Sequence, residues 1–172
     1  MQMILIGIGA NLPRRDGTSP LATCQWAAQR LDTLPGLRLH SLSRWYASEP
    51  IPPSGQPPYI NAVARLSVDL GAAEPDPAAL LAALQAIEAA AGRERGERNA
   101  ARTLDLDVIT MGESGRMVRA APDPVLPHPR AHLRAFVLVP LLDVAAEWLH
   151  PVEGRGAGEL LRALPDQGVR AL

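Results

Sequence analysis

Lysine is missing from this chain of 172 residues, and all seventeen of its cations are arginine. That absence excludes a P-loop lysine, a kinase-type strand lysine over ATP phosphates, and a lysine Schiff base with a carbonyl substrate or pyridoxal cofactor. An excess of charge of one sign is also missing. Eighteen carboxylates balance the arginines to a formal net charge of -1, which argues against a general polyanion binder, so no nucleic-acid partner is expected. The single cysteine, Cys24, excludes an internal disulfide and any zinc site built on several thiolates, and it suits a reducing compartment. No uninterrupted apolar run reaches the roughly 18 residues of a membrane span, and Met1 to Leu12 has no basic flank leading into a long apolar stretch. No membrane partner and a cytoplasmic location are expected. Aromatics make up only 3% of residues.

What is present is a chain that is 47% hydrophobic and long enough to bury one core, so a single domain over residues 1–172 is expected. Ile4, Ile6 and Ile8 alternate with Leu5, Gly7 and Gly9 as a strand that breaks at Ala10 to Pro13. Thr18-Ser19-Pro20 caps a helix running to about Leu34, and Pro35-Gly36 ends it. Leu37 to Ser48 reads as a strand, Glu49 to Pro58 as a proline loop, and Tyr59 to Leu70 as a strand with one face in the core. Asp76-Pro77 caps a second helix with Leu80, Leu84, Ile87 and Ala91 on its stripe, closed by Gly92. A charged loop from Arg93 to Ala101 precedes a strand from Thr103 to Met111. The order βαββαβ predicts an α+β fold, a ferredoxin-like sandwich with a C-terminal extension. In that extension, 116–129 reads as short strands and proline turns. Ala135 to Val144 reads as a short helix broken by Pro140, and 158–164 as a last helix.

The chemistry-bearing run is Arg102-Thr103-Leu104-Asp105-Leu106-Asp107. In a strand, Asp105 and Asp107 share a face with Cα atoms roughly 6.5 to 7 Å apart. Aspartate is disfavoured in strands and like charges repel, so a divalent cation is the natural offset, magnesium above all with substrate phosphates. An edge strand with a solvated polar face gives the same pattern. Arg93, Arg95, Arg98, Arg102, Arg116, Arg119, Arg130 and Arg134 crowd 42 residues around the pair. Guanidinium forks grip phosphate oxygens, although a solvated loop with local ion pairs also explains the first of them. Tyr59 and Asn61 follow Gln56-Pro57-Pro58, an aromatic and a carboxamide suited to the face and edge of a planar heterocycle, or else a core ring and a cap. Phe136 is core or a stacking wall, and His128 is a phosphate donor or a turn histidine.

These segments resemble the 6-hydroxymethyl-7,8-dihydropterin pyrophosphokinase family. The resemblance is carried by Ile6-Gly7-Ile8-Gly9-Ala10-Asn11-Leu12, Tyr59-Ile60-Asn61-Ala62, Ile87-Glu88 with Gly92-Arg93, Arg102 to Asp107, and Leu126-Pro127-His128 with Arg134-Ala135-Phe136. It implies transfer of the β,γ-diphosphate of ATP to the pterin hydroxymethyl oxygen, in folate biosynthesis, by a ferredoxin-like fold. It also implies two magnesium ions on Asp105 and Asp107, with Arg93 and Arg102 assisting catalysis. ATP would meet Gln85, Glu88, Arg95, Arg98, Arg102, His128 and Arg134, and the pterin would meet Ser48, Tyr59, Asn61 and Phe136. The expected partners are ATP and hydroxymethyldihydropterin, and the expected state is a monomer. The chain departs from the family's usual Arg-Trp-Gly-Pro-Arg, with Asn99-Ala100-Ala101 between Arg98 and Arg102. A nucleotide- and pterin-binding module without turnover is the alternative, and an RNA-binding ferredoxin-like domain fits poorly with so few aromatics.

Overall fold

The computed structural model describes residues 1–50, 52–92 and 103–172. The charged loop expected from Arg93 to Ala101, and Arg102 after it, lie outside the described residues. The elements are β1 (Ile4–Ala10), α1 (Pro20–Leu31), β2 (Leu37–Leu42), β3 (Tyr46–Ser48), β4 (Tyr59–Val68), α2 (Pro77–Ala90), β5 (Asp105–Thr110), α3 (Ala135–Val144), α4 (Ala157–Arg162) and β6 (Arg170–Ala171). One antiparallel sheet runs β5-β1-β4-β3-β6, with β2 also pairing β4. This is the expected α+β order, a ferredoxin-like βαββαβ core.

Both long helices start where the sequence caps them. Ser19 Oγ accepts the Ala22 N–H at 3.1 Å and Asp76 Oδ2 accepts that of Ala79 at 3.2 Å, each followed by proline at the first helical position. Period-two alternation in the strands then builds two cores. Ile4, Ile6 and Ile8 join Leu104, Leu106 and Val108 under α1 and α2. On the other face Leu5, Val63 and Ile109 pack with Leu138, Leu141 and Trp148. Cys24 is buried in the first core, where loss of solvent pushes its thiol up to about 12, so it packs and does not react.

The structure corrects five expectations and adds one element. The strand expected from Leu37 to Ser48 is two, β2 and β3, because the Ser43 side chain takes one of its ladder bonds: the Ser43 N–H still donates to the Val63 carbonyl at 3.0 Å, but the Val63 N–H donates to Ser43 Oγ at 2.9 Å, and that hydroxyl donates to the Arg44 carbonyl at 2.8 Å. The stretch 116–129 forms no strand, only an isolated bridge between Arg119 and Leu126, closed by Arg119 donating to the Pro124 carbonyl at 2.9 Å. Pro140 does not break α3. An interior proline costs about 3 kcal/mol, which burial of Val137, Leu138, Leu141 and Val144 offsets at about 1.5 to 3 kcal/mol per side chain. The two-residue β6, unforeseen, adds to the β3 edge through Tyr46↔Ala171 and Ala47↔Arg170. Helix α1 also ends at Leu31, short of Leu34, and α4 covers Ala157–Arg162 in place of 158–164.

Candidate functional site

The face of the sheet that carries Leu5 and Ile109 carries Gly7, Gly9, Asp105 and Asp107 further along the same strands. Register fixes their neighbours. Asn61 of β4 pairs with Gly9 of β1, which pairs with Asp105 of β5. In the next row Val63 pairs with Gly7, which pairs with Asp107. Each carboxylate therefore stands beside a glycine. With strands about 4.8 Å apart, the Asn61 and Asp105 backbones are about 10 Å apart across a floor that has no side chain. A Cβ at Gly9 would lie 3.5 Å from Asn61 Oδ1, and one at Gly7 would lie 3.6 Å from Ile109 Cδ1. This floor went unassigned in the sequence, although two alternate glycines in an isoleucine strand were its signal.

Asn61 is 4% exposed, and its Nδ2 donates to Ser48 Oγ at 2.7 Å, so the end of β3 orients the carboxamide. The proline loop before β4 is tied to the end of β1 by Asn11, whose Nδ2 donates to Gln56 Oε1 at 3.1 Å and to the Pro57 carbonyl at 3.3 Å. Ser48, Tyr59 and Asn61 thus gather at one end of the glycine floor. At its far side β5 is the sheet edge, and Glu88 reaches it from the last turn of α2. Glu88 is 4% exposed, and its Oε2 accepts the Leu106 N–H at 2.8 Å, between the two aspartates. Gln85, one turn earlier, is exposed on α2. Helix α2 covers the opposite face of the sheet, so Gln85 lies round the edge from the carboxylates.

Arg134 and Phe136 arrive from the start of α3. The Arg134 guanidinium carbon lies 5.3 Å from the centre of the Phe136 ring, a cation–π contact. Burial pushes the Arg134 pKa down, the Asp107 carboxylate draws it back up, and Asp105 and Tyr59 act in the same upward sense. His128 lies within reach of the charges of Arg134 and Asp105, its backbone N–H donating to the Ile109 carbonyl at 2.8 Å. Its Nδ1 accepts the Arg130 N–H at 3.1 Å, which places the ring proton on Nε2. Burial above all, and the neighbouring Arg134, push His128 down to about 4.

That depression has a stability consequence. The unfolded chain binds a proton near pH 6.5 while the folded chain declines it until about pH 4, so stability is present above pH 6.5 and is lost as pH falls through this window. The loss amounts to at most about 3 kcal/mol. We expect metal-free His128→Asn to lose less stability than the native chain between pH 7 and pH 5 in urea titrations. Parallel curves for the two would contradict the assignment.

Among the described residues, no group of three or more His, Cys, Asp or Glu side chains is placed to hold a metal ion. Two adjacent carboxylates over an open floor fit magnesium, a hard cation that takes one or two carboxylates and completes its shell with water and phosphate. Arg93, Arg95, Arg98 and Arg102, expected at the site, lie outside the described residues. Among those described, no helix is long and apolar enough to cross a membrane.

Comparison with known proteins bears on family and fold. Residues 5–146 match the family model described as 7,8-dihydro-6-hydroxymethylpterin-pyrophosphokinase. A 2-amino-4-hydroxy-6-hydroxymethyldihydropteridine pyrophosphokinase of Pseudomonas aeruginosa is 38% identical over 172 residues, covering 100% of this chain and 98% of that protein. One from Synechocystis is 36% identical over 157 residues, covering 91% of this chain and 73% of its own. Among solved structures, wild-type HPPK-DHPS of Plasmodium falciparum superposes with a TM-score of 0.66 over 94% of this chain, at 11% identity. That likeness speaks to fold alone, and this chain spans 44% of the length of that one. The match over 5–146 and the full-length likeness to the Pseudomonas enzyme place the chain in the hydroxymethyldihydropterin pyrophosphokinase family, ATP-binding enzymes of folate biosynthesis.

Proposed function

We propose that the glycine-floored hollow is where the pterin and the ATP phosphates meet, the pterin at the Asn61 end and the diphosphate at the Asp105 and Asp107 end. The observation that carries this is the register itself, a carboxamide and a carboxylate facing each other across Gly9. Asn61, held by Ser48, meets the polar edge of the heterocycle with its donor and acceptor, and Tyr59 and Phe136 cover its faces. Arg134 and His128 take phosphate oxygens. Gln85 and Glu88, round the β5 edge, meet the other end of the nucleotide, and Glu88 also fixes the strand between the aspartates. Arg95 and Arg98, in the stretch of sequence before β5, bind ATP, and Arg93 and Arg102 assist catalysis.

The β,γ-diphosphate of ATP passes to the pterin hydroxymethyl oxygen and AMP departs. Asp105 and Asp107 would hold two magnesium ions. Magnesium, when bound, neutralises phosphate charge and makes the substrate hydroxyl more acidic. The chain's own contribution is positioning: Asn61 orients the acceptor, and the arginines hold the donor and offset its charge. The enzyme works as a cytoplasmic, single-domain monomer, and the single buried cysteine suits a reducing compartment.

The test is to incubate the protein with ATP, magnesium and hydroxymethyldihydropterin and to separate the products. AMP and the pterin diphosphate are expected in equal amounts, and chelating magnesium stops the reaction. ADP in place of AMP would overturn diphosphate transfer, and turnover at the full rate in chelator would overturn the metal assignment.

A further inference from the structure

Arg134 stands in extended backbone (φ −120°, ψ 108°) immediately before α3, and its side chain makes no cap to the helix. The first N–H groups of a helix have no partner within it. The Ala135 N–H finds its partner far along the chain, where Gln167 Oε1 accepts it at 2.8 Å. The Nε2 of the same carboxamide donates to the Leu133 carbonyl at 3.1 Å. These two groups belong to the peptide units on either side of the Arg134 Cα, so one side chain fixes both planes from which the arginine projects.

Gln167 is itself anchored. The Gly168 N–H donates to Asp166 Oδ1 at 2.8 Å, and φ at Gly168 is +70°, a turn that favours glycine. Two residues later β6 pairs with β3, and the Leu172 N–H donates to the Trp45 carbonyl at 3.0 Å. Strand β3 ends at Ser48, which holds Asn61. A stretch of six residues thus ties the strand behind the pterin end of the hollow to the backbone of the arginine at its phosphate end.

We propose that Gln167 is a positioning residue for diphosphate transfer, locking the Arg134 backbone so that the guanidinium meets the ATP phosphates beside Asp105 and Asp107. This rests on the assignment of Arg134 to ATP. A long arginine side chain has much rotamer freedom to lose, and a clamp at its root together with Phe136 at its tip removes that freedom before substrate arrives. Phe136 is less dependent on the clamp, because it lies within α3 and packs against the second core.

The test is a double-mutant cycle of Gln167→Met and Arg134→Ala, with ATP and pterin varied separately. Gln167→Met keeps the length and loses both hydrogen bonds. We expect kcat/KM for ATP to fall about tenfold, within what a small misplacement of a catalytic group costs, while KM for the pterin stays within twofold. In the Arg134→Ala background, Gln167→Met then adds less than a twofold further loss. Gln167→Glu keeps the acceptor for Ala135 and loses the donor to Leu133. It falls between native and Gln167→Met, and it carries the comparison should the methionine variant not fold. Native kinetics in both Gln167 variants with Arg134→Ala impaired overturns the role of Gln167 and leaves the site reading standing. Native kinetics in Arg134→Ala overturns the site reading and this inference with it. Independent losses in the double variant, or equal losses for both substrates, make Gln167 a general structural residue and overturn the proposal.

Discussion

Asp107→Ala and Asp105→Ala each leave a folded protein that has lost diphosphate transfer by about 10³-fold or more, a barrier increase of about 4 kcal/mol. The size follows from what the pair does. Removing one preorganised group that stabilises transition-state charge costs roughly 10²- to 10³-fold, and a carboxylate that anchors a divalent cation removes the charge of the ion as well as its own. The fold survives because neither carboxylate belongs to a core. Leu104, Leu106 and Val108 on the opposite face of β5 keep their burial under α2, and Glu88 keeps its bond to the Leu106 N–H. Alanine at either position also removes like-charge repulsion within the strand, so stability stays within about 1 kcal/mol of native. Steady-state rates with saturating magnesium, beside urea unfolding curves, check both halves. Activity within tenfold of native in either variant would show that the aspartates do not hold the metal.

The sequence exposed these two carboxylates because they break a rule that β5 otherwise obeys. Their alternation with Leu104, Leu106 and Val108 fixed the strand and its faces, as alternation in β1 and β4 fixed theirs, and Ser19-Pro20 and Asp76-Pro77 marked both helix starts. What stayed hidden depends on partners distant in the chain. Ser43 splits the second strand through a bond to Val63, Pro140 is tolerated because of what α3 covers, and β6 exists only as an addition to β3. In the site, Tyr59, Asn61, Phe136 and Arg134 were readable as residue types suited to a ring and a phosphate. Their convergence was not, because it arises from the docking of α3 beside β4. Glu88 shows the same limit: its motif marks it out, and only the fold reveals that its carboxylate closes the edge of β5.

Gly9→Val should cost the enzyme its pterin while improving the strand that carries it. The backbone at Gly9 lies outside the left-handed region, and a Cβ there meets Asn61 Oδ1 at 3.5 Å and the Ile60 carbonyl at 3.7 Å, which are ordinary contacts. A β-branched residue suits a strand better than glycine does, so valine brings no intrinsic penalty to folding. Its two methyl groups, however, project into the space between Asn61 and Asp105, where Gly9 contributes no side chain. Forcing a bound ring against them costs about 1 to 3 kcal/mol, the usual scale of overpacking. The upper end of that range corresponds to a pterin dissociation constant roughly 10²-fold weaker. Gly9→Ala, with a single methyl at van der Waals distance, should lose tenfold or less. Gly7→Ala serves as the neighbouring control, because its Cβ meets the flexible end of Ile109 at 3.6 Å, and it should stay within threefold of native. Calorimetric titration of each variant with pterin in the presence of a non-hydrolysable ATP analogue measures the series. Native pterin affinity in Gly9→Val would move the binding site off the glycine floor, whereas a graded loss through Ala to Val at position 9, with position 7 silent, locates the ring beside Asn61.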